Sequence, residues 1–265
     1  MKKVGFIGCG NMGKAIVMGL LNSTVVDVKN LMIAEKAEHA KKIIKEELGV
    51  ECVSSEELAK ECDVIFLAVK PNVSEIVITE IKDLIKPEAI IVSIAAGITI
   101  ADMEEWFNKE VKIVRTMPNT PALVAEGMSA LCPNKNITEE ELDYVCKLFG
   151  SFGKYEILQE KDFNAFIALC GSSPAYVFVF IEAMADAACK LGLPRSVAYK
   201  MAEQSILGSA KLALETGKHP AELKDMVCSP GGTTIEAVAE LEKHGFRNAV
   251  IECMVACAEK GNNLK

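Results

Sequence analysis

One loop constrains this chain more than any other feature. Gly8-Cys9-Gly10-Asn11-Met12-Gly13 follows the apolar run Val4-Gly5-Phe6-Ile7 and opens a helical pattern over Asn11 to Leu21. A G-x-G-x-x-G in that strand–loop–helix context is a dinucleotide fingerprint. Gly8 permits the tight turn, Gly10 lets the backbone approach a pyrophosphate, and Gly13 lets helix and strand pack closely. The anion would rest on backbone amides that a helix start leaves without partners. A purely structural glycine turn is the competing reading.

The chain beyond Gly13 has the layout such a loop requires. Leu31 to Ala34, Val64 to Val69, Ile90 to Ile94, Lys112 to Thr116, Met128 to Leu131 and Tyr155 to Leu158 read as strands, several of them apolar throughout. Continuous apolar runs suit parallel strands covered on both faces. Helical patterns lie between, including His39 to Leu48 and a helix start at Thr138 followed by three glutamates. Alternation of this kind predicts an α/β fold, an N-terminal Rossmann-type doubly wound parallel sheet. Beyond Glu160 no strand is evident. Helical periodicity fills 162–169, 175–191, 195–215, 221–226, 235–243 and 247–262. We therefore expect a dinucleotide-binding domain over 1–160 and an all-helical substrate and dimerisation domain over 161–265. About a hundred apolar helical residues would struggle to bury their surface alone, so this part should pack against another copy.

Composition removes some alternatives. The net charge of −8 disfavours nucleic acid and anionic membranes, which need a positive field. Ten cysteines form no C-x-x-C pair, and the three histidines are scattered, so no metal site is expected. Cys253 and Cys257 would share a helix face and read best as buried thiols. The apolar stretch from Phe163 to Leu193 is interrupted by Gly171, Pro174, Glu182, Asp186 and Lys190, which describes a buried helix better than a membrane span. The N-terminus shows no apolar signal segment, and a reducing cytoplasmic setting is expected.

Glu35 ends the second strand, close to the offset of about 20 residues at which an acid reads the adenosine ribose. It favours NADH over NADPH, although Lys36, Lys41 and Lys42 could meet a 2′-phosphate. Ala68-Val69-Lys70-Pro71 and Ala95-Ala96-Gly97 sit at carboxyl ends of strands, where ligands bind in open α/β sheets. Pro71 is expected to stop its strand. Met117-Pro118-Asn119-Thr120-Pro121 is stiffened by two prolines. Cys228-Ser229-Pro230-Gly231-Gly232-Thr233-Thr234 precedes a helix and could hold a carboxylate on open amides, or be a turn capped by Thr233 or Thr234.

These segments, in this order and nearly end to end, resemble pyrroline-5-carboxylate reductase. The resemblance extends to Gly171 to Phe178 and Gly192-Leu193-Pro194. It implies an NADH- or NADPH-dependent enzyme that reduces 1-pyrroline-5-carboxylate to L-proline, with helical domains intertwined in a homodimer that could assemble to a decamer. It implies that Ser229, Gly231, Gly232, Thr233 and Thr234 hold the substrate carboxylate, and that the Thr234 hydroxyl faces the imine nitrogen. It places Gly171 to Pro174 and Met117 to Asn119 around the nicotinamide. The coenzyme set is then Gly8, Cys9, Gly10, Asn11, Met12, Gly13, Glu35, Lys36, Ala68, Val69, Lys70, Pro71, Ala95, Ala96, Gly97 and Asn119. Two departures stand out: Ser173 where the family usually has glycine, and Met226 where some members have asparagine. A β-hydroxyacid dehydrogenase would place a lysine inside the helix from Ala175, which carries none before Lys190. A related imine reductase, or a non-enzymatic NAD(P)H-sensing regulator, is a further alternative.

Overall fold

The computed structural model describes residues 2–262. Its first half alternates as the sequence predicts: β1 (Val4–Ile7), α1 (Asn11–Asn22), β2 (Leu31–Ala34), α2 (Glu38–Leu48), α3 (Ser55–Glu61), β3 (Val64–Leu67), α4 (Pro71–Ile81), β4 (Ile90–Ser93), α5 (Ile100–Phe107), β5 (Lys112–Met117), β6 (Gly127–Pro133), α6 (Glu139–Phe149) and β7 (Gly153–Ile157). The strands form one sheet in the order β2-β1-β3-β4-β5-β6-β7. β1 to β5 pair in parallel, with Val4 opposite both Leu31 and Val64.

One expectation is corrected here. β6 joins β5 antiparallel, pairing Thr116 with Leu131, and β7 then follows β6 in parallel. The segment between β5 and β6 is short and carries a 3-10 turn at Thr120–Val124. A parallel return needs a crossover of about a dozen residues or more. The chain therefore has to reverse. A second difference concerns Pro71. It does not only end a strand; it is the first residue of α4, with Lys70 as N-cap. Proline's fixed φ suits that position, where its missing N–H costs nothing.

Alternate residues of the buried strands serve two faces. Val4, Phe6, Val64 and Phe66 pack into one core with Ile16, Leu20, Phe149 and Phe152. Ile7, Ile65 and Leu67 pack into the other with Leu58, Ile78, Met103 and Phe107. This period of two on a sheet covered on both sides is why β1 and β3 read as unbroken apolar runs. Phe6 stacks on Phe66 with ring centres 4.4 Å apart. Arg115 is the charged exception in this layer. Its guanidinium donates to Glu160 at 2.8 Å and lies 4.5 Å from the Phe163 ring centre.

The rest is helical: α7 (Phe163–Phe166), a π-helical turn at Ile167–Gly171, α8 (Ser173–Lys190), α9 (Arg195–Thr216), α10 (Pro220–Val227), α11 (Thr233–Lys243) and α12 (Phe246–Asn262). The chain divides into two compact units. One runs to Gly171 and takes in the chain from Ala258; the other is Ser172–Cys257. Within the helical unit only Ala185, Ala198 and Ala202 are buried. The run Glu160–Lys190 is long and apolar enough to cross a membrane by length and composition, and 11% of its most apolar window is buried. α8 is thus not the buried helix expected from its sequence; in the single chain its apolar side chains are uncovered. Cys253 is likewise exposed rather than buried.

Candidate coenzyme cleft and substrate turn

At the carboxyl end of β1 the chain turns through Gly8, whose φ is +86°. A Cβ there would stand 2.7 Å from the Ala68 carbonyl oxygen, so the β1 and β3 loops can approach only through glycine. Gly10 is the N-cap of α1, with open space where a side chain would be. No side chain caps α1 and no acid lies in its first turn. Its first amides carry the positive end of the helix dipole and are free to bind an anion.

These residues border a cleft of about 310 Å³. It gathers Gly8, Cys9, Gly10, Glu35, Lys36, Ala68, Val69 and Lys70, eight of the residues assigned to the coenzyme from sequence. Asn11, Met12 and Gly13 lie in α1 and Pro71 in α4, outside its lining. Ala95, Ala96 and Gly97 follow β4 and do not border it either. A second, polar cleft of about 550 Å³ shares Ala34, Glu35, Lys36 and Ser55 with the first, and adds Lys41, Ser54, Glu56, Glu57 and Glu80 among others. The sequence did carry a sign of this wall. Ser54-x-x-Glu57 is a helix-start pattern, and Ser54 Oγ accepts from the Glu57 amide at 3.1 Å.

Glu35 joins the two clefts. Its Oε2 accepts from the Cys9 amide at 3.1 Å, and its Oε1 from the amides of Lys36 and Ala37 at 2.8 and 3.0 Å. Burial, then the Glu35 charge, pushes the Cys9 thiol up to about 12. Cys9 is therefore a neutral wall of the loop and no nucleophile.

Asn119 uses its side chain within the protein. It is buried, its Nδ2 donates to the Cys170 carbonyl at 3.0 Å, and its Oδ1 accepts from the Met128 amide at 2.8 Å. It braces the proline-stiffened loop against β6 and the π-helical turn. Next to this brace, a Cβ on Gly171 would lie 3.6 Å from Met117 Cε. The two segments that the resemblance places around the nicotinamide, at Met117 and Gly171, thus adjoin.

In the helical unit, Gly232 donates to the Ser229 carbonyl at 3.0 Å across Pro230 and Gly231, and Gly231 has φ +67°. Pro at the second place and a left-handed glycine at the third define a type II turn. Gly232, not Thr233 or Thr234, is the N-cap of α11, and no side chain caps that helix. Its first-turn amides lack intrahelical acceptors. Thr234, half-buried, is the second residue of α11. A Cβ on Gly232 would meet Ser229 Oγ at 2.4 Å and the Ser229 carbonyl oxygen at 3.1 Å, so a larger residue there would require the Ser229 side chain to turn away. Of the two departures, Ser173 sits in α8 and is not among the residues with positive φ, so its Cβ strains nothing. Met226, in α10, is exposed.

Residues 160–264 match the family model described as pyrroline-5-carboxylate reductase dimerisation. Residues 3–97 match the one described as NADP oxidoreductase coenzyme F420-dependent. Pyrroline-5-carboxylate reductase of Escherichia coli is 48% identical, covering 99% of this chain and 98% of its own. The solved pyrroline-5-carboxylate reductase of Coxiella burnetii has a TM-score of 0.94 at 33% identity, covering 100% of this chain and 98% of its own. The Plasmodium falciparum pyrroline carboxylate reductase, solved with NADP bound, has a TM-score of 0.88 at 36% identity, covering 98% and 97%. A likeness of this extent, spanning nearly the whole chain, leaves one assignment: the chain belongs to the pyrroline-5-carboxylate reductase family.

Proposed function

We propose that this chain reduces 1-pyrroline-5-carboxylate to L-proline, the last step of proline biosynthesis, with NADH or NADPH as reductant. The observation that carries the reading is a pair of uncapped helix starts, at Gly10 and Gly232, each preceded by a turn through a left-handed glycine, Gly8 and Gly231. The first suits a pyrophosphate and the second a carboxylate, neither needing an arginine. When bound, NAD(P)H supplies the hydride. The chain supplies position, which for an electrophilic iminium carbon is most of what catalysis requires.

In this reading the main-chain N–H groups of Ser229, Gly231, Thr233 and Thr234 bind the substrate carboxylate, while that of Gly232 closes the turn on the Ser229 carbonyl. The Thr234 hydroxyl donates to the ring nitrogen as it becomes an amine. Gly8 to Gly13, Glu35, Lys36, Ala68 to Pro71 and Ala95 to Gly97 serve the coenzyme, and Asn119 supports them by bracing the proline-stiffened loop. The exposed apolar side chains of the helical unit pack against a second copy in a homodimer, as the dimerisation model matched to 160–264 supports. Division of the chain at residue 160, assembly of dimers to a decamer and a cytoplasmic setting complete the proposal.

The test is initial rates with 1-pyrroline-5-carboxylate and each reduced coenzyme. Turnover with either supports the reading. Coenzyme binding without turnover of any cyclic imine indicates a regulator instead, and oxidation of 3-hydroxy acids a dehydrogenase. Thr234→Ala should lose at least about tenfold in turnover, about 1.4 kcal/mol of barrier. Full activity in that variant would remove Thr234 from the mechanism.

A further inference from the structure

The polar cleft beside Glu35 carries a charge pattern that bears on which coenzyme fits. Glu35 cannot swing aside cheaply, because three amides hold its carboxylate in place. A carboxylate has about four acceptor sites, so capacity for a ribose hydroxyl remains. A 2′-phosphate at the same ribose would carry close to two negative charges and meet Glu35 head on. It would need an unengaged cation. Lys36 and Lys41 are the lysines of this cleft, and both are engaged. Lys36 Nζ reaches both carboxylate oxygens of Glu80, on α4, at 3.1 and 3.2 Å. Lys41 Nζ donates to Glu38 at 2.7 Å. Glu56 and Glu57 add negative charge to the lining. Lys70 borders the glycine-loop cleft and not this one.

We propose that Glu35 and Glu80 make this cleft select NADH over NADPH, Glu35 by facing the ribose and Glu80 by holding Lys36 away from a 2′-phosphate. Glu80 is a positioning residue in this scheme. It contacts Lys36, not the ribose, and its effect exists only through that lysine. The inference rests on the coenzyme reading and adds to it which nucleotide is taken and which side chains decide. Discrimination of this kind works by rejecting the wrong ligand as much as by attracting the right one.

The test is a fluorescence titration of NADH and of NADPH onto the full-length protein at low salt, without substrate. Low salt matters because the Lys36–Glu80 pair is exposed and readily screened. The wild-type protein should bind NADH at least about tenfold more tightly than NADPH, given the cost of apposed like charges. Glu35→Ala should shift the ratio of dissociation constants toward NADPH by at least about tenfold. Glu80→Gln should shift it the same way by about three- to fivefold, the upper range for an exposed pair. Glu80→Gln combined with Lys36→Ala should abolish that gain, which a merely structural role for Glu80 would not predict. Equal or tighter NADPH binding by the wild-type protein overturns the proposal. So does a ratio unmoved by Glu80→Gln, or a gain that survives loss of Lys36. Binding of neither nucleotide overturns the coenzyme reading itself.

Discussion

In the sheet-bearing unit, β1 and β3 are buried at every residue, and the rings of Phe6, Phe66, Phe149 and Phe152 contact one another in sequence across one core. In the helical unit, Phe178, Val179, Leu207, Leu214 and Ile251 stand exposed, and only three alanines are buried. Both units are rich in apolar residues, so composition does not separate them. Closure does. A sheet with helices on both faces can cover its apolar side chains from within one chain. Helices that bury only three alanines leave large apolar side chains exposed, and contiguous exposed apolar surface marks a contact site. The first unit closes its core within one chain, and the second is completed by a copy.

Three perturbations probe that contrast. Phe66→Ala, at the centre of the closed core, should cost about 3–5 kcal/mol of stability. Trp106 is the sole tryptophan and lies in α5, so its fluorescence reports melting of this unit alone. A loss under about 1 kcal/mol would show that the aromatic stack is loosely packed. Phe178→Asp should weaken self-association by about 3 kcal/mol, a hundredfold or more, because a charge cannot be buried against apolar partners. Sedimentation equilibrium measures this directly. The Trp106 transition should persist, and unchanged association would place the interface elsewhere.

The third perturbation is pH. Burial first, with Glu35 adding for Cys9 and Asp63 for Cys62, holds both thiols neutral up to about 12. In the unfolded chain they ionise near 9, so between 9 and 12 the folded state binds more protons than the unfolded one. Stability is full below about pH 9 and falls as pH rises through that window, by about 1 kcal/mol per thiol at about pH 10. The Trp106 melting temperature should therefore drop above about pH 9, and a flat profile to about pH 11 would contradict the assigned burial.

Much of this was readable in the residues. The apolar runs at Val4, Leu31, Val64 and Ile90 became strands because buried parallel strands need side chains on both faces. The helices beyond Gly171 began and ended within about two residues of their periodic pattern. Strand direction was not readable, because a run such as Met128 to Leu131 looks alike either way round. It is the short loop through Pro118 and Pro121 that forces β6 to reverse. α3 and α5 lay hidden because each has eight residues or fewer, and α4 because it opens on a proline that also reads as a strand stop. In the site, the glycine loop and Glu35 were legible as types. Their joining through the Cys9 amide was not, since the partners are 26 residues apart. The resemblance placed Asn119 beside the nicotinamide; its side-chain bonds to Met128 and Cys170, which brace the loop, carried no signal in the sequence. Glu80 carried no signal at all; only folding brings α4 to Lys36.

The central claim is that α11's uncapped start, in the unit that needs a partner, holds the anionic end of the substrate. A crystal structure of the full-length protein with NADH and L-proline tests it most directly. The account predicts the proline carboxylate on the amides of Gly231, Thr233 and Thr234, at about 3 Å, with the ring nitrogen beside the Thr234 hydroxyl. A carboxylate bound to side chains elsewhere, with those amides facing water, would contradict it.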